Sequence, residues 1–214
     1  MDLLDAIRTT NACRYYKSDA VADDLLVRVI DAARWAPTGS NKQPVTFLAV
    51  RDQSKRQALH DLYQPLWDGV MEKYASGAIG AGFKPGFLDH VDYFAKHMAE
   101  VPVMIVVCVA VNQITAVDAN LGRLSVTGGS SVYPAVQNLL LAARAEGLGT
   151  TLTTILCLAE SEVKKLLDIP GDIATAAVIT LGWPTKPFPK KLHRKPLSEI
   201  AYLDSYGTRL PGTE

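Results

Sequence analysis

Apolar positions along the chain recur with two periods. In "SDAVADDLLVRVIDAARWA", Leu25, Leu26, Val29, Ala32 and Ala33 fall at helical spacing, which predicts a helix starting after Val21. Asp23 and Asp24 stand at the end where the helix dipole favours acids, and Pro37 stops the pattern. A short helix is expected over residues 2–8, with Leu3, Leu4 and Ile7 on one side. Residues 53–74 and 87–99 read as further helices, and "LAESEVKKLLDI" as an amphipathic one. The segment "SVYPAVQNLLLAARAEGLG" is apolar on most of its sides, with a stop signal at Gly147 or Gly149. Such a helix belongs at the centre of a fold or at an interface.

Strand patterns occupy residues 45–51, residues 101–111 and "ATAAVITLGWP"; "TTLTTI" reads as a strand or an extended connector. Residues 112–130 show no period, and the tail from Lys186 is rich in proline and basic residues. "ASGAIGAGFKPG" reads as a loop or the base of a lid around residues 65–95. Three or four strands among many helices predict an α+β fold, a sheet flanked by helices, rather than a full doubly wound domain. The whole chain, 1–214, is expected to form one domain, with no internal repeat.

Composition narrows the function. Hydrophobic residues make up 48% of the chain, enough for a full core. Lys+Arg and Asp+Glu balance at 22 each, which argues against a broad nucleic-acid footprint. The run "VPVMIVVCVAV" is too short to cross a bilayer. Cys13, Cys108 and Cys157 form no CxxC pair, so neither a disulfide framework nor a zinc site is expected, and a reducing, cytoplasmic location fits. "MDLLDAIRTT" lacks an apolar stretch of the signal-peptide kind.

Common chemical signatures are missing. There is no GxxxxGK[ST] loop and no GxSxG elbow, and "GAIGAG" lacks the strand and helix around it that a dinucleotide fingerprint needs. Asp89, His90, Asp92 and His97 match no standard metal spacing and read as a solvated helix face. Four polar segments remain: "RTTNACR" at 8–14, "PTGSN" at 37–41, "TTLTT" at 150–154 and "KKLHRKP" at 190–196. Taken singly they read as a cap, a turn, a connector and a solvated tail.

Their order along the chain, with "APTGSNKQP" and "AVQNLLLAARAEGLG" the most specific pieces, resembles the nitroreductase family of FMN-dependent oxidoreductases over about residues 2–200. The resemblance implies a nitroreductase-like fold with a mainly antiparallel sheet, a homodimer with an exchanged C-terminal arm, and FMN sites at the subunit interface. It places Thr10, Asn11, Ala12, Cys13 and Arg14 in the flavin-binding stretch, with Arg14 toward the flavin pyrimidine. It places Pro37, Thr38, Gly39, Ser40 and Asn41 against the partner's flavin, where small residues permit close approach. Leu152, Thr153 and Thr154 pass the flavin's reactive edge, and Thr153 or Thr154 would act there as a donor favouring one-electron steps. Arg194 matches the late basic contact to the phosphate.

The chain also departs from the family. Thr10, Asn11 and Ala12 stand where the family has Arg, Arg and Ser, and Val45 stands where it has Trp. The activity implied is electron transfer from NAD(P)H to a small aromatic or conjugated acceptor such as a nitroaromatic or a quinone, with the flavin carrying the chemistry. No metal, nucleic acid or membrane is implied. Alternatives are a reductive dehalogenase or enoate-type reductase on the same site, a non-catalytic flavin-binding protein, or a dimeric scaffold without cofactor.

Overall fold

The computed structural model describes residues 1–78 and 86–213. The middle of the Gly/Ala-rich segment, and with it part of the expected lid, lies outside the described residues. Four strands form one fully antiparallel sheet in the order β1-β2-β4-β3: β1 (Val45–Val50), β2 (Val103–Ala110), β3 (Gly149–Thr153) and β4 (Ile173–Gly182). Among the described residues six α-helices surround it: α1 (Leu3–Thr9), α2 (Asp23–Ala33), α3 (Gln53–Ala75), α4 (Phe87–Lys96), α5 (Tyr133–Ala145) and α6 (Glu160–Leu167). The α+β expectation holds, and "TTLTTI" resolves as a strand.

The sheet is covered on both faces, which explains the unbroken apolar run of β2. Alternate residues of β2 serve opposite layers. Val103, Ile105, Val107 and Val109 pack with α2 and α5, whereas Met104, Val106 and Cys108 pack with α3, α4 and α6. The apolar α5 buries Ala135, Val136, Leu139 and Ala143 within this chain. It begins later than its apolar pattern, because turns run up to Val132 and Pro134 suits only the first helical turn. Similarly α2 ends at Ala33, before Pro37, through turns at Arg34 and Ala36.

The stretch read as irregular, 112–130, lacks regular structure yet has an organising centre. The Asp118 carboxylate is almost fully buried and accepts from Ser125 Oγ at 2.6 Å, Thr127 Oγ1 at 2.5 Å, the Val126 amide at 2.8 Å and Arg123 at 2.7 Å. These donors hold its pKa well below the usual carboxylate range, the Ser125 hydroxyl contributing most.

Candidate functional site

The first polar segment follows α1 and lies along the edge of β3. Ala12 forms a parallel bridge with Thr150, and the Cys13 amide donates to the Thr150 carbonyl at 2.8 Å. The Thr151 hydroxyl closes the contact by donating to the Cys13 carbonyl. Gly149 makes this approach possible: a Cβ there would stand 2.6 Å from Cys13 Sγ and 2.7 Å from Cys13 Cβ. The chain then turns inward, and the Tyr16 phenol reaches across the sheet to the Thr180 hydroxyl at 2.8 Å. Burial pushes the Tyr16 phenol up from its ordinary value, so it stays a neutral structural pin.

The basic tail returns to the same place. The Leu192 amide donates to the Arg8 carbonyl at 2.9 Å, tying the tail to the end of α1. A cleft of about 370 Å³ opens where these pieces meet. Thr10, Asn11 and Ala12 form one wall, Thr150 and Leu152 of β3 another, and Arg194 closes an end. Ile7 and Leu140 add apolar surface, and Gln137 of α5 adds an amide. The cleft therefore unites one cation, neutral polar groups and apolar surface, within the roughly 300–1,000 Å³ of a small-ligand site.

Strand alternation separates the residues of the "TTLTT" turn. Thr150 and Leu152 line the cleft, while Thr151 and Thr153 are buried on the opposite face. Thr151 is held by Cys13, and Thr153 Oγ1 accepts from the Ile155 amide at 3.4 Å, beside the phenol of Tyr63, a buried residue of α3. Thr154, just past the strand, is exposed. Thr153 and Thr154 thus occupy different environments, although the sequence treats them alike.

Two further details bear on binding. The Thr10 hydroxyl donates to the Ala6 carbonyl at 2.7 Å, so it offers an incoming anion no proton while that bond stands. Arg194 lies exposed, bonded at 2.8 Å only to the neighbouring His193 carbonyl, and pairs with no carboxylate among the described residues. Arg14 does not line this cleft but the space adjoining it along Asn11 and Ala12; its guanidinium lies 5.1 Å over the Phe87 ring, and burial pulls its pKa below the ordinary value.

The "PTGSN" loop stays apart within the single chain. Its Gly39 amide donates to Ser131 Oγ at 3.0 Å, and Thr38 Oγ1 accepts from the Gln43 amide at 3.1 Å. Pro37, Ser40 and Asn41 are exposed. Three non-glycine residues here have left-handed backbones: Ser40 (φ 53°), Asn41 (φ 52°) and Gln43 (φ 50°). Such conformations cost about 1–2 kcal/mol each and gather at binding sites.

The face of α4 read as solvated is so in part: Asp89 and His90 are exposed and Asp92 and His97 half-buried, and several of these residues also make contacts. His90 Nδ1 bonds the Tyr15 phenol at 2.6 Å, Tyr15 stacks on Tyr93 with centroids 4.5 Å apart, and Tyr93 stacks on His97 at 4.0 Å. Asp92 accepts from Trp67 Nε1 and pairs with Lys96. Among the described residues no cluster of His, Cys, Asp or Glu could hold a metal. No helix among them is long and apolar enough to cross a membrane. Sequence reasoning overlooked Tyr15 and Tyr16; the aromatic pair in "RYY", beside the flavin-like stretch, was the available signal.

The profile of the nitroreductase family matches residues 7–183. A Rhodospirillum rubrum protein named 5,6-dimethylbenzimidazole synthase is 27% identical over 195 residues, covering 88% of this chain and 85% of that one. A Thermus thermophilus protein named NADH dehydrogenase is 25% identical over 201 residues, covering 94% and 95%. A nitroreductase structure with bound FMN from Desulfitobacterium hafniense superposes with a TM-score of 0.69 at 20% identity, covering 95% of this chain and 100% of that one, a likeness of fold.

Proposed function

This chain belongs to the nitroreductase family, and on that premise we propose that it is an FMN-dependent oxidoreductase. It would pass electrons from NAD(P)H to a small aromatic or conjugated acceptor, such as a nitroaromatic or a quinone. The observation that carries this reading is the meeting of segment 10–12, β3 and Arg194 in one cleft. The donor set there suits FMN, which has an anionic phosphate, a hydroxylated chain and a flat ring. Bound FMN supplies the electron transfer, taking electrons from a nicotinamide donor and returning them to an acceptor.

The chain's own residues bind and orient. Arg194 holds the phosphate by a charge-assisted bond, with Asn11 and the backbone of Ala12 and Cys13 beside it. Leu152 offers an apolar surface to the ring, and Arg14 favours negative charge on the pyrimidine side. Thr154, exposed past β3, supplies the edge hydroxyl, while Thr153 acts from behind by fixing the turn against Tyr63. Replacing Thr154 by alanine is expected to slow reduction of the bound cofactor by NADPH at nearly unchanged FMN affinity. Equal reduction rates in a stopped-flow comparison would remove this role.

Pro37, Thr38, Gly39, Ser40 and Asn41 complete the site from a second copy, in a homodimer. That reading rests on the left-handed backbones of Ser40 and Asn41 and on apolar surface left open in the single chain. Leu3, Leu4 and Ile7 of α1 are exposed, as are Trp35 and the tail residues Leu197, Ile200, Leu203 and Tyr206. The tail is proposed to cross onto the partner, where β1 presents a free sheet edge beside a groove lined by Leu26, Ile30 and Phe47. Sedimentation at micromolar concentration is expected to show a dimer only; a single monomeric species would overturn this assembly.

The visible spectrum of the purified protein tests the function itself. A flavin spectrum that bleaches on anaerobic NADPH addition is expected. A colourless protein that ignores added FMN would overturn the proposal. Bound flavin that neither NADPH nor NADH reduces would leave only a flavin-binding protein.

A further inference from the structure

A second cavity, of about 230 Å³, lies away from the first cleft, where the approach to α2, the end of β1 and the turn into β2 meet. Ser18, Val21, Arg51, Arg56 and Val103 are among its lining residues, and none comes from segments 8–14, 37–41, 150–154 or 190–196. Its charged lining is of one sign: two arginines, with no aspartate or glutamate.

Arg56, in the first turn of α3, is 9% exposed. Its guanidinium is fixed from several sides. Nε donates to the Arg51 carbonyl at 3.2 Å, Nη1 to the carbonyls of Ala99 at 3.0 Å and of Val101, and Nη2 to Gln53 Oε1 at 2.5 Å. All these acceptors are neutral, and among the described residues Arg56 pairs with no carboxylate. Burial pulls its pKa below the ordinary value, and the Asp52 carboxylate offsets this only in part. A buried charge is paired as a rule, as Asp118 is by Arg123. Arg56 departs from that rule, and one N–H of its Nη2 has no acceptor among the described residues.

Arg51 adds a second cation with donors to spare. Its Nη1 meets Asp23 and its Nη2 the Val21 carbonyl, which leaves Nε–H free. The Ser18 hydroxyl, exposed at the rim, has no partner among the described residues.

We propose that this cavity is an anion site, for a single tetrahedral oxyanion of the phosphate type. The anion would lie between Arg51, Arg56 and Ser18 Oγ and supply the counter-charge that Arg56 lacks. The volume is below the roughly 300–1,000 Å³ of small organic ligands, which favours the free ion over a phosphorylated metabolite. Bound there, it would tie the end of β1 to α3 and stabilise the folded chain. Nothing in this assignment depends on FMN binding.

Inorganic phosphate is the probe, titrated by calorimetry into the full-length protein at constant ionic strength. Saturable binding is expected, with a Tm that rises with phosphate but not with chloride. Phenyl phosphate, the ester, should bind at least about tenfold more weakly. Arg51→Gln should weaken phosphate binding about tenfold or more, by loss of a charge-assisted bond. Ser18→Ala, at the exposed rim, is expected to fold and to show a smaller loss. Arg51→Gln also breaks the pair with Asp23, so Asp23→Asn is the control. It breaks the same pair but removes a competing carboxylate, and should leave phosphate affinity equal or higher. Binding of one ion per chain is expected to persist in Arg194→Ala and in excess FMN, both of which take the first cleft out of the reading. Absence of saturable binding, equal binding by Arg51→Gln, weaker binding by Asp23→Asn, or loss of binding in Arg194→Ala or in excess FMN would each overturn the proposal. Equal or tighter binding of phenyl phosphate would overturn the choice of the free ion.

Discussion

Replacing Arg194 by alanine is expected to weaken FMN binding roughly 10- to 100-fold, by loss of a hydrogen bond to a charged group worth about 1.5–3 kcal/mol. The expectation follows from what the cleft lacks. A buried or half-buried phosphate needs charge-assisted donors. Thr10 and Asn11 occupy positions where the family carries arginines, and the Thr10 hydroxyl is committed to the Ala6 carbonyl. Arg194 is the cation that lines the cleft, and it is free of competing carboxylates among the described residues. The bond between the Leu192 amide and the Arg8 carbonyl holds the tail in place two residues earlier, so little further ordering is needed to present the guanidinium. Riboflavin, which lacks the phosphate, should bind both proteins alike. Flavin fluorescence quenching measures both affinities. An unchanged FMN affinity would reject Arg194 and direct attention to Arg8.

Gly149→Ala should destabilise the protein by about 1–3 kcal/mol, the usual cost of overpacking, and weaken FMN binding with it. The new methyl would overlap Cys13 Sγ and Cβ, at 2.6 and 2.7 Å, with Pro184 Cβ behind them at 3.5 Å. Cys13 Cβ is tied to the backbone that bonds Thr150, so relief requires moving segment 11–14 away from β3. That movement would open the first cleft along Ala12. A fall in Tm of roughly 2–4 °C per kcal/mol is expected for a chain of this size. The same change at Gly69, inside α3, meets nothing within 4 Å and should raise stability by about 1 kcal/mol through helix propensity. Thermal melts of the two variants read the opposite signs. A neutral Gly149→Ala would mean that the packing of Cys13 on β3 is not close.

What the chain determined by itself was local. The period of Leu25, Leu26, Val29 and Ala33 placed α2, and the unbroken run around Met104 and Val106 placed a strand buried on both faces. These signals are legible because a helix or strand shows its buried side every few residues. The polar segments at 8–14, 150–154 and 190–196 were also visible, as was the resemblance that ties them to one family. Tertiary structure decided which of these residues share a surface. Strand register, set by pairing with β4, turned Leu152 to the cleft and the hydroxyl of Thr153 to Tyr63; a shift of one residue would have exchanged them. Nothing near Thr153 and Thr154 in sequence records that choice. The tail has no period, so the approach of Lys186 to Tyr15, 171 positions earlier, and the four donors gathered on Asp118, emerge only from folding. The strain at Ser40, Asn41 and Gln43 was equally hidden, because left-handed backbones at non-glycine residues are imposed by the surrounding fold rather than by the residues' own preference.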